Sequence, residues 1–122
     1  MRTLEWAAGL FEGEGTIIIR TRPEDQIDCQ LSSVDEDVVR EFASVIGCGK
    51  VHGPYQYGNR QPYWKWCAYG DGAVTAIERI RPYLLSRRAA KADEAVTRYD
   101  QRQKRPHYTV SRKGMGGRKK AA

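Results

Sequence analysis

In Trp6-Ala-Ala-Gly-Leu-Phe-Glu-Gly-Glu-Gly15, three glycines and two glutamates crowd into ten residues. Thr3, just ahead, is a natural N-cap, and Glu5 falls in the first turn, where the helix dipole favours an anion. Leu4, Ala8 and Phe11 recur at helical spacing, which predicts a first helix from about Leu4 to Gly13. Gly9 and Gly13 lie four apart within it, although each glycine costs about 1 kcal/mol relative to alanine in a helix interior. With Ala8 they form a smooth stripe against which another helix backbone can lie closely, a geometry best known from membrane helices. Glu12 and Glu14 close the helix where its dipole disfavours carboxylates by roughly 0.3–1 kcal/mol each. Pairing this helix with its own copy gathers four carboxylates in one place, and hard oxygen ligands there suit Mg²⁺. A helix that merely ends in solvated glutamates would explain a lone Glu-Gly pair, but not the whole arrangement.

The chain orders itself outward from this helix. Thr16-Ile-Ile-Ile-Arg-Thr-Arg22 is a β-rich run closed by the turn Pro23-Glu-Asp25, and Gln26-Ile-Asp-Cys-Gln-Leu-Ser32 alternates as its hairpin partner. Ser33 or Asp35 caps a second helix with Val38, Val39, Phe42, Val45 and Ile46 as its buried stripe, ended by Gly47. Gly49–Gly53 forms a short third strand. A loop over residues 54–62 carries Tyr55, Tyr57, Asn59 and Arg60, and Tyr63–Tyr69 is the fourth strand. Gly70-Asp-Gly72 leads into a helix from about Ala73 to Arg81, and Pro82 opens a last helix reaching about Arg102. The order α-β-β-α-β-β-α-α predicts an α+β fold: a four-stranded antiparallel sheet with helices on one face.

The length of 122 residues fits one domain, taken as residues 1–103, followed by a basic, flexible arm over residues 104–122. Net charge is +6 but uneven: residues 1–86 hold 9 basic and 12 acidic side chains, and residues 87–122 hold 12 basic and 3 acidic. Such a distribution points to a polyanion, with nucleic acid ahead of a membrane because no amphipathic apolar face accompanies the charge. No run approaches the ~20 apolar residues of a bilayer span, and the N-terminus does not read as a signal peptide. Cys29, Cys48 and Cys67 are an odd number with no CxxC pair, which argues against a disulfide framework or zinc knuckle. Cytoplasmic residence, in a reducing compartment, is the expectation.

Read as a nine-residue motif, Ala7-Ala-Gly-Leu-Phe-Glu-Gly-Glu-Gly15 resembles the LAGLIDADG motif of homing endonucleases, matching at Ala8, Gly9, Leu10 and Gly15 and conservatively elsewhere. The resemblance extends over about residues 4–100, because the family's fold has the same order of helices and hairpins and a saddle-like sheet. Ile46-Gly-Cys-Gly-Lys-Val51 looks like its entry into the third strand, and Ile80-Arg-Pro-Tyr-Leu-Leu-Ser-Arg-Arg88 like its entry into the late helix. The resemblance implies that Glu14, with a backbone carbonyl such as that of Gly13, holds the catalytic Mg²⁺, with Mn²⁺ as a substitute. It places a basic residue of the active centre nearest Arg87, with Arg88 or Lys91 in a slipped register. Where many members carry a water-positioning glutamine, this chain has Ser33. The motif helix packs on its twin in that family, so Ala8, Gly9, Glu12 and Gly13 are the expected dimer interface. A chain with a single motif is expected to act as a homodimer.

Strand alternation then assigns the other face of the sheet. With Ile17 and Ile19 inward, Thr16, Ile18, Arg20 and Arg22 point outward, and Gln26, Asp28, Gln30 and Ser32 join them from the second strand. Lys50 and His52 follow on the third strand, and Lys65, Cys67 and Tyr69 on the fourth if Trp64 and Trp66 are core; the reverse register exposes two tryptophans. Outward Arg, Gln, Asp and Lys are the side chains that read base edges in a major groove, and Arg60 extends the footprint from its loop. The arm, with Lys104, Arg105, Arg112, Lys113, Arg118, Lys119 and Lys120, suits contact with phosphates regardless of sequence. The expected function is site-specific cleavage of both strands of a long pseudo-palindromic DNA site, as in intron homing, leaving short 3′ overhangs, with double-stranded DNA as partner and no small-molecule cofactor. The alternative is a non-cutting DNA-binding regulator or RNA maturase on the same fold.

Overall fold

Thr3 caps the first helix as its chemistry suggests: its hydroxyl accepts the Trp6 N–H at 3.1 Å, fixing the start of α1, Leu4–Glu14. The computed structural model of the chain describes residues 2–21 and 26–104. After α1 come β1 (Gly15–Arg20), β2 (Gln26–Ser33), α2 (Glu36–Ile46), β3 (Lys50–Tyr55), β4 (Tyr63–Tyr69) and α3 (Asp71–Ile80). A 3₁₀ turn (Arg81–Tyr83) and α4 (Ser86–Lys104) complete the described chain. The four strands form one antiparallel sheet in the order β1-β2-β4-β3, and the expected α+β fold is the one observed.

Registers fix which residues share a face. On the helix side, Gly15, Leu31, Trp66 and Val51 lie across one row, and Ile17, Cys29 and Ala68 across the next. Trp66 is fully buried and Trp64 packs partly buried against the core, so β4 adopts the register that keeps both tryptophans with the helices. Phe42 joins the layers, stacking on Phe11 at 6.3 Å between ring centroids and meeting Trp66 edge-on at 4.9 Å. Burial pushes the Cys29 thiol up to about 12, so it behaves as a small apolar core residue.

Beyond shifts of one or two residues at strand and helix ends, three local features differ from the sequence reading. Helix α2 begins one residue after Asp35, whose side chain caps nothing; instead Ser33 Oγ accepts the Asp35 N–H at 3.1 Å, and Asp37 Oδ1 accepts that of Val38 at 2.9 Å. Strand β3 runs past Gly53 to Tyr55 through a register shift after His52. Pro82 does not open the last helix. It lies in the 3₁₀ turn, Leu84 is extended and buried as a plug, and the helix starts at Ser86. The turn at residues 23–25, Arg22 and residues 105–122, hence almost all of the expected arm, lie outside the described residues. Lys104 belongs to the end of α4. Among the described residues no helix is long and apolar enough to cross a membrane.

Candidate nucleic-acid interface and acidic groove

The sheet face away from the helices is built row by row. Arg20 lies beside Gln26; Ile18 beside Asp28 and Tyr69; Thr16 beside Gln30, Cys67 and Lys50; and Ser32 beside Lys65 and His52. Arg20, Thr16, Lys50, His52 and Tyr69 are exposed, and Ile18, Gln26, Gln30, Ser32 and Lys65 half-buried. Arg60 is exposed in the β3–β4 loop, where Gln56 Nε2 donates to its carbonyl at 2.9 Å. Two members of this face are covered. Cys67 is buried beneath its neighbours, and its sulfur, toward which the Tyr69 O–H donates, raises the tyrosine hydroxyl above its ordinary 10.0. Asp28, expected as an exposed base reader, is only 5% exposed. The correction has an electrostatic cause: its carboxylate is paired with the Arg20 guanidinium at 2.8 Å.

Glu14 is the last residue of α1 and is exposed. It borders an open groove of about 540 Å³ lined by Leu10, Glu14, Ser32, Ser33, Val34, Asp35, Val38 and Tyr63. The groove joins the end of the motif helix to the end of β2, so Glu14 and Ser33, separated in sequence, face one space. Ser33 Oγ is occupied as acceptor by the Asp35 N–H, but its O–H donor remains for a water or a phosphate oxygen. Sequence reasoning missed Tyr63 and Asp35. Tyr63 enters because Ser33 pairs with Trp64, a register that no local pattern reveals. It leads a tyrosine cluster, with Tyr55 at 5.5 Å and Tyr57 at 6.2 Å between ring centroids. Desolvation, then a hydrogen bond with Tyr57, raises the Tyr63 hydroxyl above its ordinary 10.0, keeping it a neutral donor at physiological pH.

Of the expected interface residues, Gly9 and Gly13 lie on an exposed strip of α1, and a Cβ built on either meets nothing within 4 Å. Ala8 and Glu12 do not share that strip. Ala8 is fully buried within the chain. Glu12 turns toward α4: its Oε2 accepts the Leu85 N–H at 2.6 Å, where a carboxylate meets the positive end of a helix. Arg88 reciprocates, donating from Nε to the Glu12 carbonyl at 3.2 Å with its guanidinium 5.7 Å from the Phe11 ring centroid. Arg88 is thereby committed to holding α4 against α1, while Arg87 and Lys91 are exposed.

Glu14 and Asp35 are the two carboxylates of the groove, and the described residues hold no group of three His, Cys, Asp or Glu able to bind an ion. That set suits Mg²⁺, which is commonly held by one or two carboxylates together with substrate phosphates and water. The negative end of the α1 dipole adds to the attraction for a cation.

No family model matches the sequence, and no curated protein matches it either. Among solved structures, the chain is similar to the homing endonuclease I-CvuI in complex with its target, with a TM-score of 0.64 and 18% identity over 83% of this chain and 68% of that one. It is also similar to the LAGLIDADG homing endonuclease I-GzeII in complex with a DNA target, with a TM-score of 0.67 and 15% identity over 91% of this chain and 40% of that one. The LAGLIDADG meganuclease I-AabMI bound to uncleaved DNA gives 0.60 and 18% over 79% of this chain and 35% of that one. At these identities the likeness is one of fold: the chain has the α+β fold of LAGLIDADG homing endonucleases.

Proposed function

We propose that the chain is a DNA endonuclease that works as a homodimer, straddling a pseudo-palindromic duplex and cutting both strands. The observation that carries this reading is the placement of Glu14: an exposed carboxylate at the end of a helix whose glycine strip is bare, in one groove with Ser32, Ser33 and Tyr63 and beside a basic sheet face. Glu14 and the neighbouring Gly13 carbonyl supply the hard oxygens. A bound Mg²⁺ or Mn²⁺ supplies Lewis acidity and lowers the pKa of a coordinated water. Ser33 donates a hydrogen bond into the groove, and the Tyr63 oxygen, whose proton is engaged by Tyr57, accepts one from water there. Arg87 adds positive charge opposite the developing phosphate charge. Two motif helices laid together along Gly9 and Gly13 bring two such grooves side by side, one for each strand.

The test is cleavage of a supercoiled plasmid library carrying random inserts, with and without Mg²⁺. Metal-dependent linearisation of a subset of plasmids is expected. Glu14→Gln should abolish it while leaving affinity for the recovered site within about tenfold, because the amide keeps the shape and loses the charge that attracts the metal. Equal cutting by parent and variant sinks the assignment of Glu14. Sequence-selective binding with no cutting in either would favour a regulator on the same fold.

A further inference from the structure

A buried carboxylate is out of place on a sheet face meant for a polyanion, since it repels the phosphates the face must attract. Asp28 resolves this by its geometry. Its Oδ2 accepts from Arg20 Nε at 2.8 Å and stands 2.8 Å from Nη2, so the carboxylate engages a single edge of the planar guanidinium. The other edge, Nη1 with the second Nη2 proton, faces away from Asp28. The Asp28 side chain is 7% exposed and that of Arg20 is 53% exposed: the anion is closed off and the fork is presented. Ile18 and Tyr69 flank Asp28 in register, fixing it from both neighbouring strands.

We infer that Asp28 is the positioning residue for Arg20, holding the outer edge of the guanidinium ready to grip O6 and N7 of a guanine in the major groove. The inference rests on the DNA reading above and gives it one base of specificity: each protomer demands a G·C pair at the position under Arg20. Arginine is matched to this task because its fork meets two guanine acceptors at once, whereas lysine offers only a point charge. Anchoring one edge removes the rotamer freedom that binding would otherwise have to quench, and neutralising Asp28 removes its repulsion of the backbone. An ion pair that only fastens β1 to β2 would stabilise the fold without altering base preference. The two roles are therefore separable.

The experiment is selection from a pool of random-sequence duplex DNA without divalent metal, so that cleavage plays no part, using the parent, Arg20→Lys and Asp28→Asn. The parent should enrich sites with a G·C pair at one symmetric position of each half. Arg20→Lys keeps the charge, so the slope of affinity against salt should hold while the preference at that position falls by roughly ten- to a hundredfold. Asp28→Asn should weaken the same position by about tenfold and leave the others intact. Thermal melts of both variants report folding separately, since Arg20→Lys also loosens the pair that neutralises the buried Asp28. If the parent enriches a sequence and Asp28→Asn selects it with unchanged preference, this inference falls and the DNA reading stands. If the parent enriches nothing, both fall.

Discussion

Each residue of the opening motif has its own physical reason. Gly15 is the clearest case: a Cβ built there would lie 2.2 Å from the Phe11 ring, which is itself buried and stacked on Phe42. The constraint is space, since Gly15 has an extended backbone with φ −85° that any residue adopts. Gly15→Ala should therefore destabilise the fold by about 1–3 kcal/mol through overpacking, read as a lower Tm or urea midpoint. An unchanged midpoint would mean that Phe11 yields without cost. Gly9 and Gly13 are the reverse, with nothing in the chain within 4 Å of where a Cβ would stand. Sequence spacing treats these glycines alike; only packing separates the one that makes room inside from the two that leave room outside. Asp28 shows the same limit. Alternation assigns it correctly to the outer face, but burial by Arg20 depends on a cross-strand diagonal.

At the scale of elements, the order of helices and strands was legible because amphipathic stripes, caps and glycine stops are local signals. The Thr3 cap and the Gly47 stop, left-handed with φ 80°, lie where their chemistry places them. What was not legible is tertiary. The late helix starts at Ser86 because Leu84 plugs the core and because Glu12, from the far end of α1, receives the Leu85 N–H. Glu12 and Arg88 thus form a clasp between the end of α1 and the start of α4, and that clasp fixes where Arg87 stands. Glu12→Ala removes a capping acceptor and should cost about 1 kcal/mol of stability, within the range for lost N-caps. It should also reduce cleavage more than DNA affinity, because Arg87 loses its anchor while the sheet face is untouched. Urea melts and plasmid cleavage on the same preparation check both. Equal losses of binding and cutting would show that the clasp does not serve the groove.

For the whole molecule, one chain offers one basic-edged sheet, one groove and one Glu14, and the proposed cutting of two strands asks for two of each. The open strip of α1 is where a second copy would sit, and its chemistry makes association separable from folding. Replacing Gly9 by leucine adds a side chain into space where nothing lies within 4 Å, so the isolated protomer has room for it. Helix propensity improves by roughly 0.5–1 kcal/mol on losing an interior glycine, so the isolated protomer should be no less stable. Between two closely packed helices the same side chain forces the backbones apart, and the loss of close packing there opposes dimerisation directly. Gly9→Leu should therefore yield a folded monomer with native far-UV circular dichroism and no double-strand cleavage, while the parent sediments as a dimer at micromolar concentration. Sedimentation of the two proteins over a range of concentrations decides it. A variant that remains dimeric and cuts both strands would place the contact elsewhere on the molecule, and a parent that stays monomeric with its DNA bound would remove the shared-site arrangement altogether.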